Sequence, residues 1–205
     1  MRSLLKRLPL LLALFALAFS PLATRPAHAA DPGVVQIEAF DNALLDMMKN
    51  GKSLGPKGRY RRLAPVIDRT FDLPVMTRFA VGPAWTSFTP AQQQAVIEAF
   101  TRLSVASYAH NFEDYSGQRF EVDPNTLNRG PDKIVQSQMF RPNDKPVALS
   151  YRMRESGGAW KIIDIYFDSI SQLTTRRSDF AATIAQGGAP ALLAHINTLV
   201  DNLMK

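Results

Sequence analysis

Between Tyr115 and Gln118 the apolar residues of this chain change from a helical spacing to a strand spacing, and that change restricts the folds open to it. Upstream, Val34, Ile37, Phe40, Leu44, Leu45 and Met48 recur at helical intervals over 34–49, and Asn50-Gly51 is a stop signal. Gly51 to Gly58, with Pro56, reads as a loop. The spacing predicts a second helix over 59–71 and a short third one over 72–81, with Asp72 as N-cap and Pro74 in its first turn. Gly82-Pro83 breaks the pattern again. The longest helix is predicted from Pro90 to about Tyr115: Thr89 caps it, Pro90 is its first residue, and Gln92 completes a capping box.

Beyond Gly117 the period is two. Phe120 and Val122 alternate with charged residues, and Ile134 to Phe140 is a second run. Val147, Leu149, Tyr151 and Met153 alternate with Ala148, Ser150, Arg152 and Arg154. After Ser156-Gly157-Gly158 the run from Trp160 to Phe167 is apolar on both faces. Four strands joined by short turns predict an antiparallel meander. Two helices follow, Leu173 to Gln186 and a second from Pro190, with Gly187-Gly188 between them. Helices, a meander, then helices make an α+β fold in one domain over 30–205.

The first 29 residues read as a cleavable secretory leader. Arg2, Lys6 and Arg7 precede an apolar run from Leu8 to Phe19, and Ala27-His28-Ala29 places small residues where a signal peptidase reads. The run is bounded by Pro9 and by Ser20-Pro21, too short for the roughly 20 residues of a membrane span. The leader holds four of the 24 basic residues and none of the 18 acidic ones, so the rest of the chain is close to neutral. Such a balance argues against nucleic-acid binding, which needs many Lys and Arg against phosphates. With no cysteine there is no disulfide, thiol nucleophile or Cys-based zinc site.

Little in the sequence points to catalysis. His110 and His195 lie beyond the leader, not at metal-ligand spacing. His110 has Glu113 and Asp114 nearby, and His195 borders an apolar stripe. Asp164, between Ile163 and Ile165, is either a tuned acid or a structural group tied to an Arg or to backbone N–H groups. The second reading is the more common fate of a buried carboxylate. Ser169 and Ser171 lack a G-x-S-x-G context. Lys57, Arg59, Arg61 and Arg62 form the dense basic run: a solvated helix start, or a contact for anionic headgroups or an acidic partner.

The apolar content, rich in Met, Phe and Tyr, fits a packed core or an apolar pocket equally well. Carrying a sixteen-carbon chain through water means offsetting roughly 12 kcal/mol, which only an enclosed apolar cavity achieves. Flexible Met side chains suit such a wall.

The order of features along the chain resembles the MlaC/toluene-tolerance family. Arg62-Leu63-Ala64-Pro65-Val66-Ile67 is followed by Phe71-Asp72, Met76, Arg78-Phe79, Gly82 and Trp85. Thr89-Pro90-Ala91-Gln92, Phe100, Leu103, Tyr108 and Tyr115-Ser116-Gly117-Gln118 come next. Pro146, Tyr151, Trp160-Lys161, Asp164, Ser169-Ile170-Ser171, Arg177-Ser178, Phe180 and Gly187-Gly188 extend the likeness over nearly all of the chain after the leader. The Phe71-to-Met76 segment and the Phe112-to-Phe120 segment are similar to the branch called HpnM, associated with hopanoids. The resemblance implies a non-catalytic periplasmic carrier, without cofactor or metal, that moves a hopanoid or phospholipid between inner and outer membranes. It implies an NTF2-like fold with a lipid cavity between sheet and helices, and MCE-type or transporter components as partners. Asp168-Ser169 stands where the family pattern has a Gly, which bears on the cavity mouth.

On this expectation the helical wall is Met76, Phe79, Phe100, Leu103, Tyr108 and Phe112, and the sheet wall is Leu149, Tyr151, Met153, Ile163, Ile165 and Phe167. A one-residue shift at the 156–158 turn would exchange the last three for Trp160, Ile162 and Tyr166. A charge at Leu149 or Tyr151 is then expected to abolish carriage. Two other readings stay open: a small enzyme with Asp164 or His110 as base, and an adaptor that binds protein and never lipid.

Overall fold

The computed structural model describes residues 30–205; the expected leader and its cleavage site fall outside the described residues. The helices are α1 (Pro32–Lys49), α2 (Gly51–Thr70), α3 (Leu73–Val81), α4 (Pro90–Asn111) and α5 (Gln172–Leu203). The strands are β1 (Arg119–Arg129), β2 (Asp132–Phe140), β3 (Val147–Ser156), β4 (Ala159–Phe167) and β5 (Ile170–Ser171). The sheet runs β1-β2-β3-β4-β5, antiparallel throughout. It packs against the helices, an α+β arrangement. No helix among the described residues is long and apolar enough to cross a membrane.

The sheet has five strands, not the expected four. The fifth is a two-residue return whose Ser171 also caps α5, accepting from Thr174 N at 3.0 Å, so it is too short to show a period. Asp168 and Ser169, the residues of the β4–β5 turn, have φ of 45° and 70°. Both are in the left-handed region that a two-residue hairpin turn requires and that Gly or Asn fills most cheaply. The turn forms without the glycine, with Asp168 Oδ1 accepting from Ala148 N at 3.3 Å.

The expected loop at 51–58 is instead helical. Its break is confined to Gly55, whose φ of 60° and ψ of 174° leave the helix for a single residue. Helix α4 ends at Asn111, four residues before the expected stop. There the guanidinium of Arg59 takes one of its final carbonyls, donating from Nε to Ala109 O at 2.7 Å, and also donates from Nη2 to the Glu113 carboxylate at Oε2, 3.1 Å away. Its Nη1 reaches Gly51 O at 3.1 Å. Arg59 is therefore buried structure, not part of a solvated basic run, while its neighbour Arg62 pairs with Asp46. The glycine break in α5 is as expected: Gly188 has φ 60° and ψ −145°, which turns the second half of the helix so that Phe180 on one side and Leu192 and Ile196 on the other are all buried.

Helix α1 lies across the inner face of the sheet. Asp31 caps it through Gly33 N at 2.7 Å and also receives Lys133 Nζ at 2.7 and 2.8 Å. The Lys133 ammonium sits 3.8 Å from the Trp160 ring centre. One turn past Ile37, Asp41 is buried among apolar side chains, where its carboxylate accepts from Ser137 Oγ at 3.1 Å and Tyr151 Oη at 3.2 Å. Burial pushes Asp41 up to about 7, against the pull of those two hydrogen bonds and with the charge of Glu38 adding to the rise.

Two measurements follow from this geometry. Replacing Ser169 by Gly relieves a left-handed non-glycine residue and should raise stability by on the order of 0.5–1 kcal/mol. That is roughly a 2–4 °C gain in Tm per kcal/mol for a chain of this size, and a lower Tm would contradict the turn. Asp41 holds a proton in the folded state between about pH 4 and 7 that the unfolded chain has released. Its contribution therefore destabilises as pH rises through that window, by on the order of 4 kcal/mol in full. Asp41→Asn should flatten the stability profile over pH 4–8 and exceed the wild type at pH 8. Urea midpoints at each pH read this directly, and parallel profiles would contradict it.

Candidate functional site

A cavity of about 310 Å³ lies between α4, the first half of α5, the α2–α3 junction and the end of β4. Asp72 N donates to Ile162 O at 2.9 Å, pinning that junction to β4 and setting Phe71 and Met76 against the cavity. The floor is aromatic. Tyr108 stacks on Phe112 at 5.5 Å and meets Phe71 edge-on at 5.6 Å, while Phe40 on α1 packs under both Phe71 and Tyr108 at 5.3 and 5.4 Å. Burial, and then the charge of Asp41, push the Tyr108 phenol above its ordinary range, so it stays a neutral hydroxyl at any physiological pH.

Seven of the twelve residues expected to line a cavity do so: Met76, Phe100, Leu103, Tyr108, Phe112, Ile165 and Phe167. Leu149, Tyr151 and Met153 share the inner face with them but are buried in the core outside the cavity wall. Helix α1 covers them, with Phe40 6.2 Å from the Tyr151 ring and Asp41 on its hydroxyl. A charge placed at Leu149 or Tyr151 would thus test folding, not carriage.

The choice between the two faces of β4 is resolved by a bulge. Leu149 pairs with Phe167 and Tyr151 with Ile165, but Met153 pairs with Ile162, so Ile163 has no partner of its own. The inner face takes Ile165 and Phe167 from one alternative and Trp160 and Ile162 from the other. Ile163 is turned out with Tyr166. Together with Phe79, Arg152 and Arg177 these two line a second, smaller depression of about 210 Å³. Phe79 and Ile163 therefore do not reach the main cavity.

Among the lining residues not expected, Phe71 and Leu173 are apolar and the rest are polar. Ser104, Ser107 and Asn111 lie on α4 between the apolar lining residues, and Gln172, Thr175, Arg176 and Asp179 follow at helical intervals on α5. Asn111, Gln172, Thr175 and Asp179 are exposed, so this rim is the mouth, and the aromatic end is the depth. The signal was a polar stripe, at i, i+3 and i+7 on α4 and at i, i+3, i+4 and i+7 on α5, which looks like any solvent face when read alone.

Asp164 also borders the cavity, but its oxygens are committed. Oδ2 accepts from Ser171 Oγ at 2.7 Å, and Oδ1 from Leu173 N at 3.2 Å and from its own neighbour Ile165 N at 2.8 Å. It ties β4 to the start of α5 through a hydroxyl and backbone N–H groups. His110 is exposed on α4 and outside the cavity wall. His195 stands 3.4 Å from Asp179 and edge-on to Phe180 at 6.2 Å.

Three likenesses bear on this geometry. The family model described as "MlaC protein" matches residues 38–198. The toluene tolerance protein ttg2D of Pseudomonas putida is 26% identical over 100 residues, a stretch that is 49% of this chain and 46% of that one, so the match spans about half of the relative's length. A solved structure of a phospholipid-binding protein from Ralstonia solanacearum, in complex with a phospholipid, superposes with a TM-score of 0.75 at 24% identity. It covers 85% of this chain and 100% of the other. At that identity the superposition speaks for the fold alone. With the family model matched from α1 to the second half of α5, the chain belongs to the MlaC family.

Proposed function

We propose that residues 30–205 form one periplasmic lipid-carrier domain, freed from its leader, that moves a hopanoid or a phospholipid between the inner and outer membranes. The carrying observation is the cavity itself: an aromatic and aliphatic depth closed by α4, α5 and β4, opening through a polar rim. Apolar chains would be buried at the depth, at about 0.8 kcal/mol per CH₂, while a headgroup stays at the rim in water. Family membership and the phospholipid bound to the Ralstonia solanacearum protein support the same reading. On it the fold is an NTF2-like scaffold, and membrane-embedded MCE-type or transporter components load and unload the cavity.

The enzymatic alternative draws less support. Asp164 is at the cavity but spends both oxygens on Ser171, Leu173 and Ile165, and His110 is outside it. The adaptor alternative calls for a filled interior, which the cavity opposes.

Expressing the chain in a hopanoid-producing host, extracting the purified protein with organic solvent and weighing the extract by mass spectrometry tests the proposal. A stoichiometric lipid is expected, its identity separating hopanoid from phospholipid, and a folded protein with no lipid would overturn carriage. Phe167→Asp puts a charge on a half-exposed part of the cavity wall and should cut lipid recovery at least tenfold while the far-UV spectrum is unchanged.

A further inference from the structure

Seventeen residues line the cavity, and one of them is a cation. Arg176 sits at the mouth, half-buried, with Nη1 3.1 Å from Asp179 Oδ2. Its guanidinium lies 5.8 Å from the centre of the Phe180 ring. Asp179 is exposed and borders the cavity as well. Of the two lining carboxylates it is the available one, because the hydrogen bonds of Asp164 are turned inward to β4 and α5. A cation and an anion thus stand side by side at the rim, three residues apart on one helix face.

We propose that this pair reads the headgroup, and that the headgroup it fits is a zwitterion: a phosphoryl group joined to a nearby ammonium. The inference rests on the carrier reading above and goes on to name the ligand class.

The argument is one of charge exchange. A partly exposed Arg–Asp pair holds together by no more than about 1 kcal/mol, so a ligand can open it cheaply. A phosphoryl group offers Arg176 a planar, two-point partner in place of Asp179. An anionic headgroup stops there. It leaves Asp179 without its cation and next to the ligand's own negative charge. The ammonium of a phosphoethanolamine headgroup fills that vacancy, so one ion pair is exchanged for two. An uncharged headgroup offers neither partner and leaves the pair closed. His195, at 3.4 Å, is the other group facing Asp179, and neutral imidazole does not substitute for an ammonium. The remaining rim groups, Ser104, Ser107, Asn111, Gln172 and Thr175, are uncharged and discriminate little by charge.

The test loads delipidated full-chain protein from vesicles containing equal amounts of phosphatidylethanolamine, phosphatidylglycerol and diacylglycerol with identical acyl chains. Loading is done at pH 8, above the ordinary imidazole range, and the lipids extracted from the reisolated protein are counted by mass spectrometry. The wild type should enrich phosphatidylethanolamine over phosphatidylglycerol about two- to fivefold, the ratio a partly exposed ion pair supports. Asp179→Asn should erase or invert that preference, since it removes both the ammonium partner and the repulsion of an anion. Arg176→Gln should shift loading from both phospholipids towards diacylglycerol. The readout is a ratio within loaded protein, so partial unfolding cannot imitate it. Lipid loaded in the same proportions by all three proteins overturns the headgroup reading and leaves the carrier standing. A folded wild type that loads none of the three overturns this inference and the phospholipid arm of the carrier reading, leaving the hopanoid arm to the extraction experiment above.

Discussion

The ion pair of Lys133 with Asp31 fixes where helix α1 lies, and the position of α1 determines how much of the sheet is left for a cavity. Lys133 comes from β2 on the inner face, between the Trp160 ring and the cap of the helix. From that anchor the helix crosses β2 and β3 and brings Asp41 down on Ser137 and Tyr151. A buried carboxyl in this place is costly, and an uncharged side chain would pack there with less strain on the protonation balance. What the carboxyl supplies is register. Two hydroxyls from neighbouring strands converge on one group of the helix, so α1 cannot slide or rotate without leaving them unpaired. With α1 held, Leu149, Tyr151 and Met153 are core, and the main cavity lies beyond Phe40, towards the end of β4.

The bulge in β4 works on the same boundary from the other side. By leaving Ile163 unpaired it lets Trp160 and Ile162 face α1 and Ile165 and Phe167 face the cavity, with Asp164 in register with Arg152. Asp164 then binds Ser171 and the Leu173 N–H, which sets the first turn of α5. The orientation of α5 follows. Leu173 is turned towards the cavity and Phe180 into the core, and the face carrying Gln172, Thr175, Arg176 and Asp179 falls at the rim. A residue that resembles a tuned acid in sequence is thereby explained as the link between a strand irregularity and a helix start.

The elements were largely legible because each has its own chemistry: the capping box at Thr89, the two-residue alternation in β3, the break at Gly187-Gly188. Much of the helical cavity wall was legible too, since Phe100, Leu103, Tyr108 and Phe112 lie on one stripe that has to face something apolar. Three features were not. The region from 51 to 58 carries loop residues, yet Gly55 alone absorbs the break and the flanking turns stay helical. The bulge at Ile163 has no marker in a run that is apolar on both faces, so neither register proposed for it was right over its whole length. Which strands α1 would cover depends on Lys133 meeting Asp31, a contact across a hundred residues that periodicity does not encode. Asp41 left a trace: it falls four residues after Ile37 and three before Leu44, within the apolar stripe.

A carrier of lipid faces two demands that pull apart, and the cavity keeps them in separate places. Hold on the ligand scales with apolar surface, at about 0.8 kcal/mol per CH₂, and most of that is common to every lipid with the same chains. Tight hold therefore says nothing about selection, and more of it slows release. Choice among lipids has to come from the headgroup end, where contacts are wet and individually small. Ion pairs at a half-exposed rim suit that role because they change preference by a factor of a few without adding greatly to the total. Burying Arg176 and Asp179 more deeply would sharpen the choice, but the desolvation of both charges would then oppose every loading event. On the proposed reading the rim position balances those costs: the aromatic floor would supply affinity, and the exposed pair on α5 would be left free to exchange partners.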